Sequence, residues 1–202
     1  DDLRRGKPSC HKRFGEATAI LAGDAIFAEA FNLILKYQEC NSEKKLRILS
    51  EIVNASGASG MVAGQIVDIT SASKTISKKK LEYMHTNKTG RLISASMVCS
   101  GILCGAEDGI LDSLREYGLN IGLAFQITDD IIDIISNSTI SGKTRGKDKV
   151  QSKNTYPFLW GLDKSKKIAE EKINTALRAI EGINIDSRLL VDIANFILVR
   201  KA

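Results

Sequence analysis

The 202-residue sequence predicts an all-α fold. Three observations carry this. Only 2 prolines occur, apolar residues recur at helical spacing through most of the chain, and the Val-Thr-Tyr alternation that marks half-buried strands is scarce. With 43% hydrophobic and 26% charged residues, the composition is that of a globular domain with a sizeable core. Collagen-like and low-complexity classes are excluded.

The elements follow in order. From Phe14 to about Gln38, Ala19, Ile20, Ile26, Phe27, Phe31, Leu33 and Ile34 cover so wide an arc that a helix buried in a packed interior is expected. Cys40 to Lys44 is a polar break in which Asn41 and Ser42 are candidate caps. Leu46, Leu49, Ile52 and Val53 give a second helix over Leu46–Asn54, punctuated by Gly57 and Gly60. Met61 to Ile69 is short and apolar, with Gln65 and Asp68 three apart on one face.

Ser77 to Ala106 reads as a long helical region with a polar insert, Thr86-Asn87-Lys88-Thr89-Gly90, where Gly90 marks a kink. Its uncharged stretch from Leu92 to Ala106 falls short of a membrane span, so a buried core helix is expected there. Another long helix runs from Glu107 to about Ser136. Gly142 to Lys153 carries five basic residues without apolar periodicity and reads as a loop. Two helices, Lys164–Ile180 and Arg188–Lys201, complete a single all-helical unit over residues 1–202.

Net charge is +5, compatible with nucleic acid, a membrane surface or anionic small molecules. A nucleic-acid role is disfavoured because no aromatic residues stand between the basic ones. Cys10, Cys40, Cys99 and Cys104 form no C-x-x-C pair, so neither zinc nor a disulfide framework is suggested. Without a signal-peptide pattern, a reducing, cytoplasmic setting is expected.

The chemistry concentrates in Phe125-Gln126-Ile127-Thr128-Asp129-Asp130-Ile131-Ile132-Asp133. Helical spacing puts Gln126, Asp129 and Asp133 on one face of an otherwise apolar helix. Carboxylates in such surroundings are costly unless neutralised. Hard oxygen ligands at this spacing suit magnesium bridged to phosphate, whereas the bland alternatives are an exposed acidic stripe or an internal ion pair. Cations stand elsewhere: Arg4-Arg5-Gly6-Lys7-Pro8, Lys88-Thr89, and the basic loop containing Lys143 and Lys153. Jointly with the aspartates they describe a magnesium–diphosphate site.

These segments, together with Gly15–Ala25, Gly64-Gln65-Ile66-Val67-Asp68, Gly142–Asp148 and Thr155-Tyr156-Pro157, resemble the trans-prenyl diphosphate synthases in order and identity. The resemblance is to the farnesyl and geranylgeranyl types. It implies an isoprenoid synthase fold around a central cavity and condensation of isopentenyl diphosphate with an allylic diphosphate. It also implies a homodimer and Mg2+, three ions per site once diphosphate is bound. By position, Asp129, Asp130 and Asp133 form the second aspartate-rich motif and are its metal residues, with Asp129 the direct ligand. Arg4 takes the allylic and Arg5 the isopentenyl diphosphate; Lys88, Gln126 and Lys143 hold the allylic diphosphate, and Thr89 stands beside the reacting carbon. Gln65, Asp68, Asp148 and Lys153 support, while His11 and His85 receive no role.

The family's first aspartate-rich motif precedes the Leu-Arg-Arg-Gly segment, and by position its last aspartate lies two residues upstream of Asp1. The 202 residues thus read as the C-terminal two-thirds of such a synthase, expected to be inactive alone. Alternatives are a noncatalytic partner subunit of a prenyl synthase and a class I terpene cyclase.

Overall fold

The computed structural model describes residues 2–72, 74–140 and 154–200, with side chains left aside over 136–140. The basic loop over Gly142–Lys153, with Lys143, Asp148 and Lys153, lies outside the described residues. Packing divides the chain into two compact units, Asp1–Leu49 and Ser50–Ala202.

The first unit opens with a two-residue hairpin, β1 (Leu3–Arg4) against β2 (Lys7–Pro8), in which Arg4 pairs with Lys7. Arg5 and Gly6 both adopt positive φ (51° and 73°), the geometry of a tight hairpin turn. The sequence did not announce this hairpin, because two-residue strands leave no periodicity to read. Helix α1 (Cys10–Phe14) leads into α2 (Glu16–Tyr37). The expectation of a buried α2 is corrected: none of its residues is buried, and Ile20, Leu21, Ile26, Phe27, Leu33 and Leu35 are exposed. A helix apolar over most of its circumference needs neighbours on several sides, and a hairpin, a five-residue helix and part of α3 cannot provide them. By length and composition alone α2 could cross a membrane, a test that core helices of soluble proteins also pass.

Helix α3 (Ser42–Ser56) begins at Ser42 rather than at Leu46, inside the expected polar break, and the cap candidate Asn41 holds its start, Oδ1 accepting the Lys44 N–H at 2.9 Å. Its second half belongs to the second unit, where Glu51 receives two hydrogen bonds of 2.8 Å from the Arg115 guanidinium. Helix α4 (Met61–Ser71) follows, and α5 (Lys78–His85) begins where Ser77 accepts the Lys80 N–H. The polar insert is a π-helical turn over Thr86–Gly90, continuous with α6 (Arg91–Cys104). Such turns are uncommon and gather at functional sites. Helix α6 is the core helix its uncharged run predicts, burying Ser94, Ala95, Val98, Gly101 and Ile102. It ends at Gly105 in the left-handed conformation, with the Ala106 N–H bonded to the Gly101 carbonyl.

Helix α7 (Asp108–Ile140) is the axis of the second unit. Tyr117, Ile121 and Ala124 pack with Ile173 and Ala176 of α9 (Leu162–Ala179), with Ile180 just past its end, and with Ala194 and Ile197 of α10 (Arg188–Val199). One turn onward, Ile127 and Ile131 pack with Leu81, Met84, Tyr156 and Ala169. Helix α8 (Tyr156–Trp160), capped by Thr155, is too short for periodicity to reveal.

Two close approaches fix what surrounds the site. A Cβ on Gly64 would lie 2.3 Å from the Lys88 backbone nitrogen, so α4 rides directly on the π-turn. A Cβ on Gly122 would lie 2.5 Å from the Gly90 Cα, which seats α7 against the same turn. Glycine at both positions lets three backbones meet around Lys88 and Thr89.

Candidate active site

α4, the π-turn, α7 and the residues leading into α8 enclose a pocket of about 450 Å3. Asp68 comes from α4, His85 and Lys88 from the α5–π-turn junction, and Gln126, Asp130 and Asp133 from α7, with Asn154 beside them. Asn154 pins the rim: its amide donates to the carbonyls of Ser71 (2.9 Å) and Lys74 (2.8 Å), and its oxygen accepts the Ile76 N–H.

Within the pocket Lys88 Nζ meets Asp68 Oδ2 at 2.5 Å, both side chains about one-third exposed (36% and 39%). Partial exposure leaves the ammonium accessible to an anion while Asp68 holds it in place. Thr89 Oγ1 donates to Gln126 Oε1 at 3.1 Å, and Gln126 Nε2 donates to Asp130 Oδ1 at 3.2 Å. The other Asp130 oxygen accepts the Tyr156 backbone N–H at 3.0 Å and lies 3.5 Å from His85 Nε2. Asp130 is thus buried among donors. His85 stacks on Tyr156 (centroids 5.5 Å apart), and Tyr156 stacks on Trp160 (4.7 Å). Burial first, then the charges of Glu82 and Asp130, push the Tyr156 phenol far above its ordinary pKa.

Asp133 is exposed and lines the pocket. Asp129, turned about 100° from Asp130 around the helix, instead pairs with the Arg200 guanidinium. Arg200 also donates to the Phe125 carbonyl at 3.0 Å and lies over the Phe125 ring at 3.9 Å. Gln126, Asp130 and Asp133 therefore share the pocket face, whereas the sequence pattern grouped Gln126, Asp129 and Asp133. Gln65 is half-buried on α4, one turn before Asp68. Arg4 and Arg5 lie exposed on the hairpin of the first unit.

Sequence reasoning passed over His85, Asn154 and Arg200. His85 stands three residues before Lys88, a spacing that hinted at a common helix face. Asn154 and Arg200 come from distant segments, and nothing local marked them.

Among the described residues, no three acidic, histidine or cysteine side chains converge into a metal cage. The donor set still fits magnesium. Asp133 and Asp68 offer hard carboxylate oxygens to the pocket, and Mg2+ commonly takes one or two of these while water and substrate phosphate complete its shell.

Helices packed around a pocket that joins a lysine to clustered carboxylates define an isoprenoid synthase fold. The solved neighbours are proteins of this class. An FPP/GFPP synthase from Zymomonas mobilis superposes with a TM-score of 0.83 at 31% identity, over 98% of this chain and 66% of that one. A geranyltransferase from Helicobacter pylori, complexed with magnesium and isoprenyl diphosphate, gives 0.79 at 30% identity, over 98% and 64%. The chain belongs to the polyprenyl synthetase family, whose model matches residues 1–184. It is 39% identical over 202 residues to a farnesyl diphosphate synthase of Bacillus subtilis, covering 99% of this chain and 68% of that protein. It is 43% identical over 194 residues to the Micrococcus luteus farnesyl diphosphate synthase, covering 95% and 66%. A chloroplastic geranylgeranyl pyrophosphate synthase of Arabidopsis thaliana is 40% identical, covering 100% and 59%. The chain thus spans between 59% and 68% of these relatives' length.

Proposed function

We propose that the protein is a short-chain trans-prenyltransferase, condensing isopentenyl diphosphate with dimethylallyl, geranyl or farnesyl diphosphate to give farnesyl or geranylgeranyl diphosphate. The observation that carries this reading is the pocket itself, where an accessible Lys88 stands beside the Thr89–Gln126–Asp130 chain and the Asp133 carboxylate.

The Lys88 ammonium binds the allylic diphosphate and offsets charge as the carbon–oxygen bond breaks. Thr89 supplies an oxygen dipole near the cationic carbon, and Gln126 holds that hydroxyl in place. Met84 and Ala72 in the lining limit access of water to that cation. After the new carbon–carbon bond forms, a proton leaves the adjacent carbon to the departed pyrophosphate, so no dedicated histidine base is needed. Bound magnesium, three ions by family resemblance, would be held by Asp133 and, once freed from Arg200, by Asp129, and would neutralise the leaving pyrophosphate. Arg4 and Arg5 keep the diphosphate-binding roles that the resemblance implies, with Lys143 and Lys153 as further cations. Homodimerisation and a cytoplasmic setting belong to the same proposal.

The test is a prenyl-transfer assay on the full-length protein with isopentenyl and allylic diphosphates, with and without Mg2+, followed by product extraction and sizing. Magnesium-dependent formation of a longer prenyl diphosphate supports the reading. Release of a cyclic hydrocarbon overturns it in favour of a terpene cyclase. Failure to turn over, with altered product length when a second synthase is added, overturns it in favour of a partner subunit.

A further inference from the structure

The chain of hydrogen bonds from Tyr156 to Thr89 has a direction, and a carboxylate sets it. Buried Asp130 accepts the Tyr156 N–H at Oδ2 and Gln126 Nε2 at Oδ1, so the Gln126 carboxamide turns its NH2 group toward Asp130. The amide's other end is an oxygen, which can only accept. Thr89 Oγ1, 3.1 Å from that oxygen, must therefore donate its one proton to Gln126. With its proton committed, the hydroxyl has only lone pairs left to offer. A reversed amide would take a lone pair and free the proton, and a hydroxyl proton repels a developing cation.

We propose that Asp130 is a positioning residue that, through Gln126, locks the Thr89 hydroxyl so that it presents lone pairs to the cationic allylic carbon. The inference rests on the prenyl-transfer reading and deepens it. It gives Asp130 a task different from metal binding: its oxygens already accept from Tyr156 N–H and Gln126 Nε2. His85, 3.5 Å away and stacked on Tyr156, keeps that carboxylate in a walled position.

The experiment compares Asp130→Asn, Gln126→Met, Thr89→Val and Thr89→Ser with the double variants Asp130→Asn/Thr89→Val and Gln126→Met/Thr89→Val, all in the full-length protein. In metal-free protein, the Gln126 side-chain NH2 signals should be protected from hydrogen exchange in the wild type. They should lose that protection in Asp130→Asn, whose side chain no longer dictates the amide's direction. In turnover, Thr89→Val should lower kcat roughly a hundredfold and Asp130→Asn at least about tenfold, with KM for both diphosphates held within about twofold. Thr89→Ser should retain most of the rate.

The deciding result is coupling. Each double variant should be no slower than Thr89→Val alone, because a hydroxyl already removed cannot be misdirected. Losses that multiply in the doubles overturn the proposal, as does an Asp130→Asn defect repaired by raising the magnesium concentration. An unprotected Gln126 amide in the wild type overturns it without reference to activity. Should Asp130→Asn fail to fold, Gln126→Met alone decides the coupling. A wild-type protein that performs no prenyl transfer defeats the functional reading instead, while the exchange measurement still tests the hydrogen-bond direction.

Discussion

Asp130, buried on α7, accepts the backbone N–H of Tyr156, 26 residues further along the chain, at 3.0 Å. That bond ties the first turn of α8 to the helix carrying the aspartate-rich segment. Asp130→Ala removes the acceptor for two buried donors, the Tyr156 N–H and Gln126 Nε2, and should lower stability by about 1–3 kcal/mol. Urea unfolding measures this, and a loss under about 0.5 kcal/mol would contradict the anchoring role.

Asp129→Ala acts differently. Asp129 is 41% exposed and pairs with Arg200, which keeps its Phe125 contacts when the carboxylate is gone. Turnover of the full-length protein should fall by roughly two orders of magnitude or more, with a melting temperature lowered by only a few degrees. Unchanged turnover at saturating magnesium would sink the metal assignment.

Gly64→Ala should push α4 off the π-turn, since its new methyl would sit 2.3 Å from the Lys88 backbone nitrogen. The expected cost is about 1–3 kcal/mol, accompanied by a raised KM for the allylic substrate as the Asp68–Lys88 pair is displaced. Gly109→Ala, where nothing lies within 4 Å, is the control and should leave KM unchanged and stability equal or slightly raised. Denaturant melts and steady-state kinetics on the two variants separate a specific close approach from a general intolerance of alanine.

Stability should be lost at alkaline pH in a defined window. Burial raises the Cys99 thiol from 9.0 to about 11, helped by the charge of Glu51, and raises the Tyr117 phenol from 10.0 to about 12. Both are neutral groups that the fold favours uncharged. Their contribution is therefore complete below about pH 9 and disappears as pH climbs through 11 and 12. Melting temperatures flat to pH 9 and falling above it are expected; a steep fall between pH 7 and 9 would contradict the assignment. At pH 8 Cys99 should alkylate much more slowly than exposed Cys104, by mass spectrometry of timed samples.

Much of this protein was legible locally. Asn41 caps the helix it precedes and the uncharged run after Leu92 is a core helix, because caps and periodicity are properties of neighbouring residues. The motif order around Lys88-Thr89 and Phe125–Asp133 marked the candidate chemistry for the same reason. Tertiary structure decided the rest. It turned the polar insert into a π-turn wedged between Gly64 and Gly122, put Asp130 rather than Asp129 on the pocket face, and brought Asn154, Tyr156 and Arg200 to their partners. It also left α2 exposed, although its apolarity alone suggested an interior. Helical spacing limits which residues share an arc of surface, but the direction an arc faces depends on what packs against it. A hydrogen bond spanning 26 or 71 positions has no local signature, because its two ends meet only after the helices between them have packed.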